Sequence, residues 1–227
     1  MAEQVAGGRG PAGTVTGGFA GRERELDSLR ADIGRAGLDT LSGRKSARSR
    51  VLLIAGRPGS GRTALAEEFA RTVAADYPDG LYRVRLAEPG GAPVPLEDIA
   101  RDLLGRLGGT APAGAGEDEL AEAVRHALAG RRCFLLLDDA ADPEQVHELV
   151  PDAPGSLVVA VSEGPLTGVP DVRPCTLGGL AVGAAVELLA RYAGSTRVTV
   201  DPQAAESLVE ECAGRPAALL LAGGWLA

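Results

Sequence analysis

Residues 51–70, VLLIAGRPGSGRTALAEEFA, constrain the fold of this chain more than any other segment. A continuous aliphatic run stops at Gly56, as is typical of a short buried strand, and apolar residues at helical spacing follow the glycines. Gly56, Gly59 and Gly61 allow successive backbone N–H groups to turn inward around an anion. The N-terminus of the following helix adds unpaired N–H donors and the positive end of the helix dipole. The segment therefore predicts a strand, a loop and a helix arranged to hold a phosphate group.

One position departs from the phosphate-loop pattern G-x-x-x-x-G-K-[ST], because Arg62 stands where the pattern has lysine. Thr63 keeps the hydroxyl that would bind Mg²⁺. Arginine retains the positive charge but carries it on a longer, planar fork, so the exchange is not conservative. We expect the diphosphate part of a nucleotide to be bound and its γ-phosphate to be poorly positioned. Taken alone, the same residues also fit a tight turn without a ligand.

A second segment, CFLLLDDA at residues 133–140, is an apolar run that ends in two adjacent carboxylates. In open α/β sheets, ligands bind beyond the carboxyl ends of the strands. There Asp138 is predicted to reach the magnesium ion and Asp139 the attacking water. The alternative role is a helix N-cap, which either Asp139 or Asp142 could provide for the segment PEQVHELV. Capping by Asp142 is compatible with metal binding by Asp138.

Strand-like runs alternate with amphipathic segments of about ten to fifteen residues as far as residue 176, which predicts an α/β fold with a parallel sheet. From residue 177 onward the pattern is helical only. We expect a disordered segment at residues 1–18, a nucleotide-binding domain at 19–176 and a helical subdomain at 177–227. The last predicted helix ends while still apolar, so we expect the chain to be part of a larger protein.

Composition excludes several classes of function. A net charge of −8 and a pI of about 4.9 argue against direct nucleic-acid binding. The basic cluster at residues 43–50 is interpreted as a solvated loop. No apolar run is long enough for a membrane span, and the N-terminus lacks a signal-peptide core. Cys133, Cys175 and Cys212 lie far apart and are predicted to be small apolar residues in a reducing compartment, so we expect a cytoplasmic protein.

Five segments in order resemble the NB-ARC branch of the STAND signal-transduction ATPases, which are P-loop NTPases with a three-layer sandwich fold. The resemblance covers roughly residues 19–227. The segments, in chain order, are FAGRERELDSL, GRPGSGRT, LLLDD, LGGLAVGAAVELL and CAGRPAALLLAGGWL. In that family the first segment lies against adenine, and the proline of the last contacts the nucleotide.

The resemblance implies a regulatory switch that binds ATP or ADP with Mg²⁺. Two departures from the family, at Arg62 and Glu163, predict that hydrolysis is slow or absent. It places Thr63 and Asp138 at Mg²⁺, and Pro216 over the base. Three residues are implied near adenine and ribose and six around the phosphates: Phe19, Ala20 and Arg22, and then Gly59, Ser60, Gly61, Arg62, Thr63 and Ala64. The resemblance also implies protein partners, or a winged-helix domain and sensor repeats that this chain does not contain.

The chain departs from the family where a γ-phosphate would be sensed. Glu163 stands where the family has an arginine, and Arg173 is the nearby residue that could replace it. Arg215 interrupts the usual Gly-Leu-Pro-Leu segment and leaves Pro216 in place. Two alternatives stay open, and the departures at Arg62 and Glu163 favour the first of them. The domain could be a protein-interaction scaffold that no longer binds nucleotide, or, less well supported, an AAA+-type motor.

Overall fold

The computed structural model describes residues 19–41, 49, 51–89, 91–151, 155–169 and 172–227, with the backbone alone for residues 34–41. The expected disorder of residues 1–18 therefore lies outside the described residues. The same holds for the basic cluster, of which only Ser49 is described.

A five-stranded parallel sheet forms the centre of the fold, in the order β2-β3-β4-β1-β5. The aliphatic runs that predict strands form β1, β3 and β4, and every residue in these three strands is buried. Continuous burial is expected of parallel strands that are covered on both faces. The strands are β1 (Val51–Gly56), β2 (Leu81–Arg85), β3 (Phe134–Asp138), β4 (Leu157–Ser162) and β5 (Val172–Leu177).

Helices lie before, between and after the strands. The predicted helices are confirmed, and Asp142 caps α5 by accepting a hydrogen bond from the Glu144 N–H at 2.8 Å. The helices are α1 (Glu23–Leu41), α2 (Arg62–Val73, followed by a 3₁₀ turn at Ala74–Asp76), α3 (Leu96–Arg106), α4 (Glu117–Leu128), α5 (Pro143–Leu149), α6 (Val182–Ala193), α7 (Ser195–Val200), α8 (Pro202–Glu211) and α9 (Pro216–Leu226).

Helix α7 was not expected from the sequence. Its sequence STRVTV is rich in β-branched residues, which have reduced helix propensity, and it is too short to show an apolar stripe. It forms in a tertiary setting, where Val198 packs against a small apolar cluster of Leu189, Ala193 and Ala205.

The two faces of the sheet carry separate cores. Leu53 of β1 packs in a cluster with residues of α3, α4 and α5, whereas its neighbours Leu52 and Ile54 pack with α1 and α2. This division follows from the alternation of side chains along a strand. Phe69 and Phe134 meet edge to face on the α2 side, with ring centroids 6.2 Å apart. The predicted three-layer α/β arrangement is therefore confirmed.

The helices after β5 have apolar clusters of their own and reach back to the start of the described chain. The approach is close at Gly21, where a Cβ atom would lie 2.4 Å from the Cβ of Ala184. Gly21 has φ of +75°, so a side chain there would be strained as well as crowded. Within the described ranges, no helix is both long enough and apolar enough to cross a bilayer.

Candidate functional site

The loop between β1 and α2 has the backbone conformation of an anion cradle. Gly59 and Gly61 adopt left-handed φ angles of 78° and 89°, and the Ser60 N–H bonds the Arg57 carbonyl at 3.1 Å. Helix α2 begins at Arg62, and no side chain caps its N-terminus. The first N–H groups of a helix have no intrahelical acceptor, so this end of α2 is suited to bind an anion.

Gly56 and Ser60 lie at the base of this loop. A Cβ atom on Gly56 would lie 2.8 Å from Ser60 Oγ and 3.0 Å from the Leu177 carbonyl oxygen, so only glycine fits there. Ser60 Oγ is buried and has no hydrogen-bond partner within the described part of the chain. A buried hydroxyl without a partner is costly, and a phosphate oxygen would satisfy it. The residues of the loop therefore fit a phosphate-bearing ligand.

Thr63 and Asp138 meet although 75 residues separate them along the chain. Thr63 Oγ1 donates a hydrogen bond to Asp138 Oδ1 at 3.0 Å, and Asp138 is 1% exposed. Mg²⁺ binds hard oxygen ligands, typically one or two carboxylates together with phosphate oxygens and water. The described residues contain no cluster of three or more acidic, cysteine or histidine side chains that could hold a metal. A magnesium site that depends on phosphate oxygens fits this pair.

Arg83 on β2 was not singled out from the sequence, yet it contacts the same carboxylate. Its Nη2 atom lies 2.6 Å from Asp138 Oδ2, and its Nη1 atom bonds Glu67 on α2. The hydrogen bond to Asp138 raises the pKa of the Arg83 guanidinium, while burial opposes the increase. The only signal in the sequence is the alternation in LYRVRL, which places Arg83 and Arg85 on the same side of a strand.

Asp139 lies one residue beyond β3 and has an unusual backbone. Its φ angle is +57°, which is uncommon outside glycine, although aspartate and asparagine adopt it more readily than most residues. Arg85 Nε is 3.8 Å from Asp139 Oδ2, and both side chains are about half exposed. Asp139 and Arg85 line a cavity of about 570 Å³ that also contacts Arg62 and Glu163.

The Arg62 side chain folds back on the protein. Its Nη1 atom donates to the Gly56 carbonyl at 2.8 Å, and its Nη2 atom lies 3.7 Å from Glu163 Oε1. The Arg62 side chain is 11% exposed, whereas that of Glu163 is 71% exposed. The guanidinium at the position of the pattern's lysine is therefore engaged by protein acceptors.

A cavity of about 120 Å³ adjoins the loop and brings together three distant parts of the chain. Small-molecule sites typically measure ~300–1,000 Å³, so this cavity is sized for one part of a nucleotide. The Ala217 N–H bonds the Gly59 carbonyl at 3.1 Å and thereby fixes the start of α9 against the loop. The lining residues are Phe19, Ala20, Arg22, Ser60, Gly61, Ala64, Leu180, Leu188, Tyr192, Pro216 and Leu220.

All four residues predicted near the base and ribose, Phe19, Ala20, Arg22 and Pro216, are in this lining. Leu180, Leu188, Tyr192 and Leu220 were not predicted, because an apolar residue on a helix gives no sign of which surface it will face. Arg173, considered as a replacement sensor, pairs in register with Leu52. It lies four residues before the end of β5, about 13 Å from the phosphate edge at ~3.3 Å per residue. That position is too distant for a sensor.

Arg22 lines the cavity, but its guanidinium is occupied by protein groups. Nη2 donates to the carbonyl of Ser60 at 3.1 Å and to that of Gly178 at 2.6 Å, while Nη1 pairs with Glu25 at 2.7 Å. Arg22 is 5% exposed. Its contacts connect the N-terminal segment, the loop and the residue that follows β5, so Arg22 fixes two walls of the cavity, the N-terminal segment and the loop, against each other.

Comparison with known proteins places this site in context. Residues 45–150 match the family model of the AAA domain. The chain is 31% identical over 211 residues to the regulatory protein AfsR of Streptomyces coelicolor, covering 92% of this chain and 21% of AfsR. It is also 31% identical over 179 residues to AfsR of Streptomyces griseus, covering 78% and 18% of the two chains. The chain thus spans about a fifth of the length of these curated relatives.

Solved structures share the fold at low sequence identity. A STAND protein with a tetratricopeptide repeat sensor from Pyrococcus horikoshii aligns with a TM-score of 0.53 and 21% identity, over 88% of this chain and 29% of that one. The ORC2 protein of Aeropyrum pernix, solved as ADPNP–ADP complexes, aligns with a TM-score of 0.56 and 17% identity, over 92% and 62%. Cdc6p of Pyrobaculum aerophilum gives 0.58 and 15%, over 92% and 61%. The chain has the α/β fold of the P-loop NTPases.

Proposed function

We propose that this chain is the nucleotide-binding core of a STAND-type regulatory ATPase of the NB-ARC class, which binds ATP or ADP with Mg²⁺. The observation that carries the proposal is the cavity beside the phosphate loop, because the N-terminal segment, the loop and the late helices all contribute to its walls. We assign residues 19–176 to the nucleotide-binding domain and residues 177–227 to a helical subdomain.

In this proposal the ligand lies along the loop with its base in the cavity. Backbone N–H groups from Gly59 to Thr63 and the N-terminus of α2 bind the phosphates, and Ser60 Oγ gains the partner that it lacks. Phe19 and Pro216 both line the cavity and would contact the base. Family resemblance is what favours adenine over guanine.

Thr63 and Asp138 would hold Mg²⁺, since their oxygen atoms already lie 3.0 Å apart. When bound, the ion neutralises charge on the phosphate oxygens. Asp139 would orient or deprotonate the attacking water from its exposed position at the end of β3. Both roles are proposals that rest on residue type and on position in the sheet.

The function we infer is a conformational switch. A ligand that contacts both the loop and the helices after β5 stabilises their closed arrangement by its higher affinity for that arrangement. Two observed contacts already join these parts: Ala217 N–H with the Gly59 carbonyl, and Arg22 with the carbonyls of Ser60 and Gly178. These contacts define the state that a nucleotide would favour.

The surroundings of Arg62 support the proposal that hydrolysis is slow or absent. Its guanidinium is engaged by the Gly56 carbonyl and lies close to Glu163, a carboxylate that repels a γ-phosphate. We therefore propose that the site favours a nucleoside diphosphate over a triphosphate. Binding of a diphosphate depends mainly on backbone N–H groups, which these side chains leave unchanged.

Partners and location are also proposals. The chain spans about a fifth of its curated relatives, and the Pyrococcus STAND protein carries a tetratricopeptide repeat sensor. We propose that further domains, such as a winged helix and sensor repeats, or separate protein partners read the switch in the cytoplasm. Direct binding of nucleic acid by this chain is not expected, given its net charge of −8.

A steric block tests the proposed site. Ala64 is exposed and lines the cavity, so Ala64→Phe fills the space for the base without disturbing the core. The matched control is Ala75→Phe, an exposed alanine in the 3₁₀ turn after α2. Titration with fluorescent ADP and Mg²⁺ should show binding by the wild type and by Ala75→Phe. In Ala64→Phe the affinity should fall about tenfold or more, a loss of about 1.4 kcal/mol, because the phenylalanine ring would occupy space that the base needs.

One observation favours a second function, a scaffold without nucleotide. The Arg62 contacts with Gly56 and Glu163 give the loop a stable arrangement in the absence of a ligand. In that case the wild type would bind neither ADP nor ATP at millimolar concentration, and Ala64→Phe would behave like the wild type. The same titration therefore separates the two hypotheses.

A further inference from the structure

The carboxylate of Asp138 is engaged at both of its oxygen atoms. Oδ1 accepts a hydrogen bond from the Thr63 hydroxyl at 3.0 Å, and Oδ2 receives the Arg83 guanidinium at 2.6 Å. The Asp138 side chain is 2% exposed, so water does little to solvate its charge. A buried carboxylate is costly without a compensating cation, and in this structure Arg83 is that cation.

The position of Arg83 gives it a second acceptor. It lies on β2, the strand at the edge of the sheet, and its side chain is 42% exposed. Its Nη1 atom bonds Glu67 of α2, whose side chain is 52% exposed. The guanidinium therefore bridges a buried carboxylate, which is the candidate magnesium ligand, and a carboxylate at the surface.

We propose that Arg83 is an internal counter-cation that competes with Mg²⁺ for Asp138, and that Glu67 holds the guanidinium when the metal takes the carboxylate. The inference rests on the proposed nucleotide site and concerns how this chain controls metal entry there. Mg²⁺ needs a carboxylate oxygen, and two cations at one small carboxylate repel each other. A guanidinium that can move to Glu67 lowers this repulsion while keeping its own charge paired.

Competition and a purely structural role predict opposite changes in Mg²⁺ affinity when Arg83 is removed. If Arg83 only oriented Asp138, its removal would leave the carboxylate misplaced, and the metal would bind more weakly. If Arg83 competes with the metal, its removal leaves a carboxylate that lacks a cation, and Mg²⁺ would bind more tightly. Under competition, removal of Glu67 should weaken Mg²⁺ binding. Of the two carboxylates that Arg83 contacts here, only Asp138 then remains, so the guanidinium stays on the metal ligand.

The test measures how strongly Mg²⁺ enhances nucleotide binding. Fluorescent ADP is titrated into the full chain in millimolar Mg²⁺ and in excess EDTA, and the ratio of the two dissociation constants is taken for each variant. Arg83→Gln should raise the Mg²⁺ enhancement about fivefold or more. Glu67→Gln should lower it about twofold to fivefold, as expected for an exposed ion pair. Arg71→Gln is the control, since Arg71 pairs with Glu68 on the same helix.

The two variants together decide the outcome. An increase for Arg83→Gln with a decrease for Glu67→Gln supports competition, and a decrease or no change for Arg83→Gln overturns it. Circular dichroism and thermal unfolding verify the fold of each variant. If Arg83→Gln does not fold, Glu67→Gln decides alone, because it keeps the pair with Asp138, and an unchanged ratio overturns the proposal. If the wild type binds ADP in EDTA and neither variant changes the Mg²⁺ enhancement, competition is overturned and the proposed nucleotide site stands. If the wild type binds no nucleotide, both proposals are overturned.

Discussion

Replacement of Arg22 by methionine should destabilise the fold more than the same change at the exposed Arg24. Methionine keeps much of the aliphatic stem and removes the guanidinium. The carbonyls of Ser60 and Gly178 then lose their donor, and Glu25 loses its ion-pair partner. Because Arg22 is 5% exposed, water reaches these groups poorly. The N-terminal segment, the loop and the residue that follows β5 would no longer be joined through this side chain.

The magnitude follows from the two hydrogen bonds to carbonyl groups. A hydrogen bond that involves a charged group contributes about 1.5–3 kcal/mol, and the exposed position of Gly178 lowers its share. We expect Arg22→Met to reduce the free energy of unfolding by about 3 kcal/mol. At about 2–4 °C per kcal/mol for a chain of this size, the melting temperature should fall by roughly 9 °C.

Urea unfolding followed by far-UV circular dichroism measures this loss directly. The matched control is Arg24→Met, an exposed arginine two residues further along the same segment, which should change stability by less than about 0.5 kcal/mol. A loss below about 1 kcal/mol in Arg22→Met would refute the reasoning, because it would show that solvent replaces the buried hydrogen bonds.

Three further predictions concern the ligand, the metal and pH. Glu163→Gln should raise the affinity for ATP relative to ADP about fivefold, because a charge pair at about 4 Å in water-like surroundings is worth ~1 kcal/mol. A competition titration with Glu144→Gln as control measures this ratio of affinities, and an unchanged ratio would contradict the prediction. Thr63→Ala should abolish most of the difference between ADP binding in Mg²⁺ and in EDTA, and a preserved difference would show that this hydroxyl is not a metal ligand. Burial raises the pKa of the Cys133 and Cys175 thiols above their usual 9.0, so the unfolded chain loses these protons first. The contribution of these protonated thiols to stability should therefore be fully present below about pH 9 and be lost as the pH rises above it. A urea midpoint that stays constant up to about pH 10.5 would contradict this pH dependence, and so would a decline that is equally steep in Cys175→Ala.

The fold was largely predictable because its signals are local. Aliphatic runs such as residues 51–56 and 134–137 bury on both faces of a parallel sheet, and this composition is readable without knowing their neighbours. Helix α7 was missed because its β-branched residues oppose a helix locally and its stability comes from packing at Val198. The strand order was not predicted, and it places β4 between the loop strand β1 and the acidic strand β3.

The site was predictable only where a motif defines it. The backbone geometry at Gly59 and Gly61 and the contact between Thr63 and Asp138 follow from a loop and an acidic strand whose residue types carry the chemistry. The Arg83 contact could not be foreseen, because it depends on β2 pairing with β3 in one particular register. A long arginine side chain reaches several acceptors, and only the folded chain shows which of them lie within reach.

Identification of what the purified chain carries tests the central claim most directly. The protein is purified without added nucleotide, incubated with millimolar ADP and Mg²⁺, and passed through a desalting column. It is then denatured, and the small molecules that it releases are identified by chromatography and mass. The account predicts close to one ADP for each folded chain, and little ADP from Ala64→Phe treated in the same way. Folded wild-type protein that releases no nucleotide would contradict the account and leave the loop as the remnant of a binding site.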